Sequence, residues 1–391
     1  MGSELLLLYS IPPNTKQIAM NNFYSKTAIA AAASIFALST PLHADLKDGM
    51  KEGSPDLKSI GALAFGPEGI LFAADAKGAA VFAIATDDGK GKKASKVTEL
   101  NQKIAATLGT EVANIKIEDL AVNPGSGATY VSVSRGRGPD AKPALFKVTD
   151  GKVELVSLDK VNFSKAELAG APEDKEVGEG RRRQNKRTSS ITDMAWADGK
   201  VAVAGLSNEK FASTLRVLDF PFSGKAASSS VEIYHGAHGK LETRSPIRTL
   251  LPIEIDGEPS IVASYTCTPL VRISLKQIQP KAHIKGDTIA ELGNRNEPLD
   301  MIEYEKGGKQ FILMANSARG IMKIGTEDLG TKELINTKIS GKAGVAYDSI
   351  EGWENITQLA KLNDNQAAII KEWEDKDTKK KHAEFDTLAL P

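Results

Sequence analysis

The residue types best suited to chemistry gather in one short stretch, His235-Gly-Ala-His238-Gly, followed by Glu242 and Arg244. Two imidazoles three residues apart in a glycine-rich loop can turn toward one point, and neutral imidazole binds zinc, copper, nickel or iron. With a carboxylate from Glu242, Asp193 or Asp300 and a coordination position left to water, such a set would be a catalytic metal site. Two other readings stand beside it: acid-base catalysis without a metal, or a tight glycine turn whose histidines cap backbone groups. Of the other histidines, His43 lies in the leader-like segment described below. His283 and His382 read as surface residues, so a three-histidine site would have to recruit one from a distant segment.

The single cysteine, Cys267, sits among Tyr265, Thr266 and Thr268. It reads as a buried small residue, a nucleophile assisted by His235 or His238, or a soft copper ligand. One cysteine excludes an internal disulfide framework and a cysteine-rich zinc finger. Arg135, Arg137, Arg295 and Arg319 fall in glycine- or asparagine-containing loops. Each can hold a carboxylate, sulfate or phosphate by bidentate hydrogen bonds, or pair with a nearby carboxylate. Asn294 and Asn296, with the aspartates, would offer oxygen ligands suited to calcium. Asp119, Asp193 and Asp300 recur at equivalent positions, which equally suits acceptance of hydrogen bonds from amides of a neighbouring repeat. The sequence contains no GxxxxGK[ST] phosphate loop, GxSxG elbow or HExxH helix.

Bringing these distant loops to one face requires a repeating frame, and the sequence has one. Residues 60–75, 117–134, 191–207 and 298–317 share a plan: an apolar strand, a glycine-containing turn, and a second apolar strand ending in small polar residues. A third strand-like piece follows each, at 79–85, 143–149, 214–220 and 320–326. Fainter copies run through 253–275 and 356–373. Short strands, tight turns and repetition without regular crossover helices predict an all-β fold, a β-propeller of six blades, with seven blades or a large β-sandwich as alternatives. In a propeller the loops leading into each inner strand and those joining second to third strands open on one rim, where most of the residues above would then lie. The C-terminal HAEFDTLAL is expected to supply the last outer strand, and residues 100–112 a short helix.

Across 391 residues, 50 Lys+Arg balance 50 Asp+Glu, so no global field draws the chain to nucleic acid or to an anionic membrane. Residues 171–190 pair an acidic run with a basic one and lack interleaved aromatics, which suits a solvated loop. From Met20 the chain shows a lysine, an apolar run over residues 27–38 and Leu42-His43-Ala44 before Asp45, the pattern of a bacterial secretory signal. The expected organisation is therefore residues 1–44 as extension and signal and 45–391 as a single propeller domain, in the periplasm or secreted, with no membrane association after signal removal.

In blade pattern, as over residues 117–133, the stretch 58–390 resembles secreted propellers of the NHL and gluconolactonase-like kind. The resemblance implies either a metal-assisted lactone or ester hydrolase or a binding scaffold; the His235/His238 loop differs from the oxygen-rich calcium arrangement associated with the lactonases. The resulting expectation is a propeller enzyme with zinc or copper on His235 and His238 and a carboxylate from Asp193, Glu242 or Asp300. Arg135, Arg137, Asn294, Arg295, Asn296 and Arg319 would position a small polar or anionic substrate, and hydrolysis is the leading chemistry. A copper version would draw in Cys267 and Tyr265 for oxidation. A non-enzymatic ligand-binding or protein-interaction propeller is the competing class.

Overall fold

The computed structural model describes residues 46–391 apart from 89–93, 181–182 and 223–225. The signal-sequence expectation falls on residues outside this set.

Each repeat folds into an antiparallel sheet because its turns admit only a tight reversal. Asp150-Gly151, Asp198-Gly199, Asp256-Gly257 and Gly307-Gly308 all have positive φ at both positions and separate strands paired across two residues. That is the type I′ hairpin turn, whose twist matches the strands it joins. The first sheet contains Leu63–Phe65, Ile70–Asp75 and Ala80–Ala85. The second contains Ile115–Val122, Thr129–Arg135, Lys142–Thr149 and Lys152–Leu155. The third contains Asp193–Ala197, Lys200–Leu206, Ser213–Asp219 and Ala227–His235, and the fourth Thr249–Ile255, Glu258–Ser264, Pro269–Ser274 and His283–Glu291; parallel pairing of Ala227–His235 with His283–Glu291 joins these two into one ten-stranded sheet. The fifth contains Pro298–Lys306, Lys309–Asn316, Gly320–Gly325 and Asp348–Ile350. The last contains Ile356–Asn363, Gln366–Glu374 and Lys381–Ala389.

Middle strands such as Ile70–Asp75 and Ala80–Ala85 are buried throughout, as expected where a sheet is covered on both faces. The apolar core is accordingly divided into layers between neighbouring sheets. Phe72, Val81, Met194 and Val203 fill one layer between the first and third sheets. Ile253, Met301, Met314 and Leu270 fill another between the fourth and fifth. The first strands follow the same circuit: 63–65 lies against both 115–122 and 193–197, 193–197 against 249–255, 249–255 against 298–306, 298–306 against 356–363, and 356–363 against 115–122. This is a propeller-like arrangement of antiparallel sheets around a common centre.

One feature departs from the sequence reading. The chain does not visit the sheets in order around the circuit: after the second sheet it returns, and Val161–Glu167 completes the first sheet beside Ala80–Ala85 before the third begins. As expected, the C-terminal segment forms the outer strand of the last sheet, Lys381–Ala389, pairing with Gln366–Glu374, and Val97 bridges to it at Phe385. Closure onto the early part of the chain therefore runs through Val97 and the inner strands. The predicted helix is present at Leu100–Thr107. Within 171–190 a small hairpin pairs Glu176–Val177 with Gln184–Asn185.

Candidate functional site

The repeated aspartates act as inter-sheet clamps. Asp119, Asp193 and Asp300 each accept the N–H of their own following residue, Leu120, Met194 and Met301, at 2.7–2.8 Å through Oδ1. Through Oδ2 each accepts an amide from the next sheet: Leu63 at 2.6 Å, Leu250 at 2.7 Å and Leu359 at 2.6 Å. Burial raises all three carboxyls above the ordinary range, Asp193 to about 6 and Asp119 and Asp300 well above. The charge of Asp193 adds to the effect at Asp119, and those of Asp119 and Asp193 at Asp300. The structure does not bring Asp193 or Asp300 to the histidines. Asp193 begins the first strand of the third sheet and His235 ends the fourth, three strand spacings of roughly 4.8 Å away.

The histidine loop is a hairpin. His235 pairs in register with Lys240 and Ile233 with Glu242, so the chain folds back and places Glu242 on the His235 face. His235 Nδ1 lies 3.0 Å from Glu242 Oε2, and His238 Nδ1 lies 2.7 Å from Glu242 Oε1. The ring centroids are 3.9 Å apart. The hydrogen bond from His235, then that from His238, lowers the Glu242 carboxyl to about 2 against the opposing effect of burial. A carboxylate receiving Nδ1–H from two imidazoles leaves Nε2 of each as the free lone pair, the tautomer a metal requires. His235 is 3% exposed and its Nε2 has no hydrogen-bond partner, whereas the His238 side chain is 46% exposed and opens the cluster to solvent.

The third member is Cys267. Ligand atoms of His235, His238 and Cys267 all lie within 4.8 Å of one another. Cys267 and Thr268 are consecutive left-handed residues, at φ 66° and 47°, a conformation rarely adopted by a β-branched side chain. The turn is held by Cys267 N–H to the Asn296 carbonyl at 2.8 Å and by Thr268 Oγ1 to the Gly293 carbonyl at 2.8 Å. Two imidazoles and a thiol form a borderline-soft donor set suited to zinc or copper. Tyr265, on the same loop, is buried, and burial pushes its hydroxyl pKa up.

The other expected site residues separate into two places. Asn294, Arg295, Asn296 and Arg319 lie beside the Cys267 turn. Asn294 and Arg295 are exposed; the buried Asn296 spends its carboxamide on the Gly293 and Asn294 carbonyls and on Asn316. Arg319 donates to the Asn294 carbonyl at 3.2 Å and covers Gly293. Asn296 and the aspartates are thus bonded to groups of the chain itself. Arg135 and Arg137 belong to the second sheet, which adjoins the first and last sheets, so the circuit puts them across the ring from the histidines; Arg137 donates to the Ala113 carbonyl at 2.9 and 3.1 Å. His283 and His382 stay apart: the former bonds Ser230 at 2.8 Å, and the latter stacks on Trp373 beside a cavity of about 290 Å³.

Sequence reasoning passed over Glu291, which is 1% exposed beneath the histidine turn and accepts the Gly236 N–H at 2.5 Å. Its one sequence signal is an acid closing the apolar run Ile289-Ala290 immediately before a rim loop.

No protein-family profile matches the chain, and no curated protein sequence matches it. Solved structures that it resembles include the PQQ-bound aldose sugar dehydrogenase of Streptomyces coelicolor, at 12% identity over 86% of this chain and 97% of that one, with a TM-score of 0.35. A Dyadobacter fermentans protein of unknown function is similar at 8% identity over 88% and 100% of the two chains, TM-score 0.37. An arabinanase of Bacillus subtilis is similar at 12% identity over 70% and 94%, TM-score 0.37.

Proposed function

We propose that this chain is a periplasmic or secreted six-bladed propeller that holds one transition-metal ion on His235, His238 and Cys267 and uses it to hydrolyse a small polar ester or lactone. The observation that carries the reading is the convergence of three ligand atoms within 4.8 Å on two separate loops, with Glu242 fixing both imidazoles from behind. A bound zinc ion would lower the pKa of a coordinated water and polarise a carbonyl. The chain's own residues supply the rest. Glu242 orients the rings, the exposed flank of His238 leaves a side open to substrate, and Asn294 and Arg295 offer polar groups on the neighbouring loop. The six-blade count is supported by the closed circuit of inner strands, each backed by its own apolar layer. Secretion is supported by the signal pattern at residues 20–44.

A copper reading is favoured by one observation, the thiol standing with both imidazoles. Elemental analysis of the full chain, purified without chelator or histidine tag, decides between them. Near-stoichiometric zinc, lost in His235→Ala/His238→Ala, with hydrolysis of chromogenic esters or lactones that disappears in the same variant, is the expected result. Stoichiometric copper with a thiolate charge-transfer band would replace hydrolysis by redox chemistry. Equal metal in both proteins would overturn the site.

A further inference from the structure

We propose that Glu291 is the buried counter-charge of the His235–His238–Cys267 site and makes it a site for a divalent rather than a monovalent ion. The inference rests on the metal reading above and adds the residue that decides which ion is held.

Glu291 ends the last strand of the fourth sheet, and its backbone is registered against Pro269, two residues beyond Cys267. The next residue, Leu292, donates its N–H to the Thr268 carbonyl at 3.0 Å. On its other side, Glu291 Oε1 accepts the N–H groups of Gly236 at 2.5 Å and Ala237 at 3.3 Å, the two residues between the histidines. Glu291 therefore stands where the histidine turn and the cysteine turn meet. Glycine allows this close approach: a Cβ on Gly236 would lie 2.9 Å from Glu291 Oε1 and 3.0 Å from its Cγ.

The second oxygen, Oε2, is buried and has no hydrogen-bond partner, and neither has Nε2 of His235. Buried polar atoms left unmet are rare because each costs free energy. An ion between the two loops meets both needs, the nitrogen by coordination and the carboxylate oxygen by charge. Charge then selects the ion. The imidazoles bind as neutral ligands and Cys267 loses its proton on binding, so these three alone balance a single positive charge, that of Cu(I). The negative charge of Glu242 is already answered by the imidazole N–H groups and by Lys240 Nζ at 3.6 Å. Glu291 supplies the second negative charge on the buried side, and a divalent ion leaves the site neutral where an unbalanced charge would be expensive.

The test compares Zn(II) and Cu(I) affinities, each by competition with a chromophoric chelator, in the full chain and in Glu291→Gln and His235→Ala. The glutamine keeps a carbonyl oxygen for Gly236 and Ala237 and removes only the charge. We expect Glu291→Gln to bind Zn(II) 10- to 100-fold more weakly and Cu(I) within about threefold of the parent. Loss of zinc and Cu(I) affinity in equal measure, or unchanged zinc affinity, overturns the proposal while leaving the three-ligand site standing if His235→Ala abolishes binding. Full binding by His235→Ala, or no binding by the parent, removes the metal reading and this inference together. Should Glu291→Gln fail to fold, Glu291→Asp retains the charge at shorter reach, and its zinc-to-Cu(I) ratio is then expected to stay on the parent's side of one; a ratio that inverts overturns the proposal.

Discussion

Two sets of polar side chains, one on the first strands of the second, third and fifth sheets and one where the third and fourth sheets adjoin, differ in how completely their hydrogen bonds are made. At the centre, Asp119, Asp193 and Asp300 repeat one arrangement, and each carboxylate oxygen receives a backbone amide. At the rim, the His235–His238–Cys267–Glu291 arrangement occurs once among the described residues and leaves Nε2 of His235 and Oε2 of Glu291 buried without partners. A group that is repeated and fully paired serves the ring, because the three interfaces where it occurs present the same orphaned amide. A group that is single and leaves such atoms unmet is where the proposed ion would sit. Pairing separates the two sets better than residue type does, since carboxylates serve in both.

The comparison breaks most visibly if the two sets exchange consequences. His235→Ala/His238→Ala is expected to weaken zinc binding by more than about 1,000-fold, while the metal-free protein keeps its unfolding free energy to within about 2 kcal/mol. Asp193→Ala should do the reverse. It strips the acceptor from the amides of Met194 and Leu250 and is expected to cost about 2–4 kcal/mol in urea unfolding, with zinc affinity unchanged in the fraction that folds. Zinc lost from Asp193→Ala, measured on folded protein, would mean that centre and rim are one site.

Two glycines sharpen the same contrast at smaller scale. A Cβ on Gly205 would collide with the backbone carbonyl of Ser190, just ahead of the Asp193 strand, where nothing flexible can yield. Gly205→Ala is expected to cost about 1–3 kcal/mol of stability and no metal affinity. At Gly236 the obstructing atoms are the Glu291 side chain and Ile335 Cγ2. Gly236→Ala should therefore cost about 1 kcal/mol of stability and roughly tenfold in zinc affinity, by displacing the carboxylate. Thermal unfolding and chelator competition on the two variants read both effects.

What the sequence disclosed follows the same division. Local signals were legible because their causes are local. Asp198-Gly199 and Gly307-Gly308 specify hairpins, alternating apolar residues specify strands, and equivalent spacing marked Asp119, Asp193 and Asp300 as possible acceptors for neighbouring amides. The glycine-rich histidine loop with Glu242 was legible too, since both rings and the carboxylate lie on one hairpin. Residues whose roles depend on which sheets adjoin were not. Val161–Glu167 returns to the first sheet, Cys267 meets the histidines across two loops, and Arg135 lies across the ring, all consequences of a circuit that no local pattern encodes. Glu291 was hidden for a further reason: a lone acid at a strand end looks solvated until the turn that buries it is in place.

The smallest expected effect concerns protons at the centre. In the unfolded chain Asp193 has an ordinary carboxyl value near 3.8, and burial raises it to about 6 in the fold. Between these values the folded protein holds a proton that the unfolded chain has released. The contribution of this group to stability is thus fully present below about pH 4 and is lost as pH rises through about 6. Asp193→Asn cannot titrate, so its melting temperature should depend less on pH across that window, the difference between parent and variant changing by about 2–4 °C. The histidine site offers the control, because zinc affinity at a fixed pH above the window should be the same in both proteins. Parallel curves would show that the amides of Met194 and Leu250 stabilise the carboxylate enough to offset its burial. The clamps would then be ionised acceptors at all working pH values, and centre and rim would differ in the pairing of their charges and not in whether charge is present.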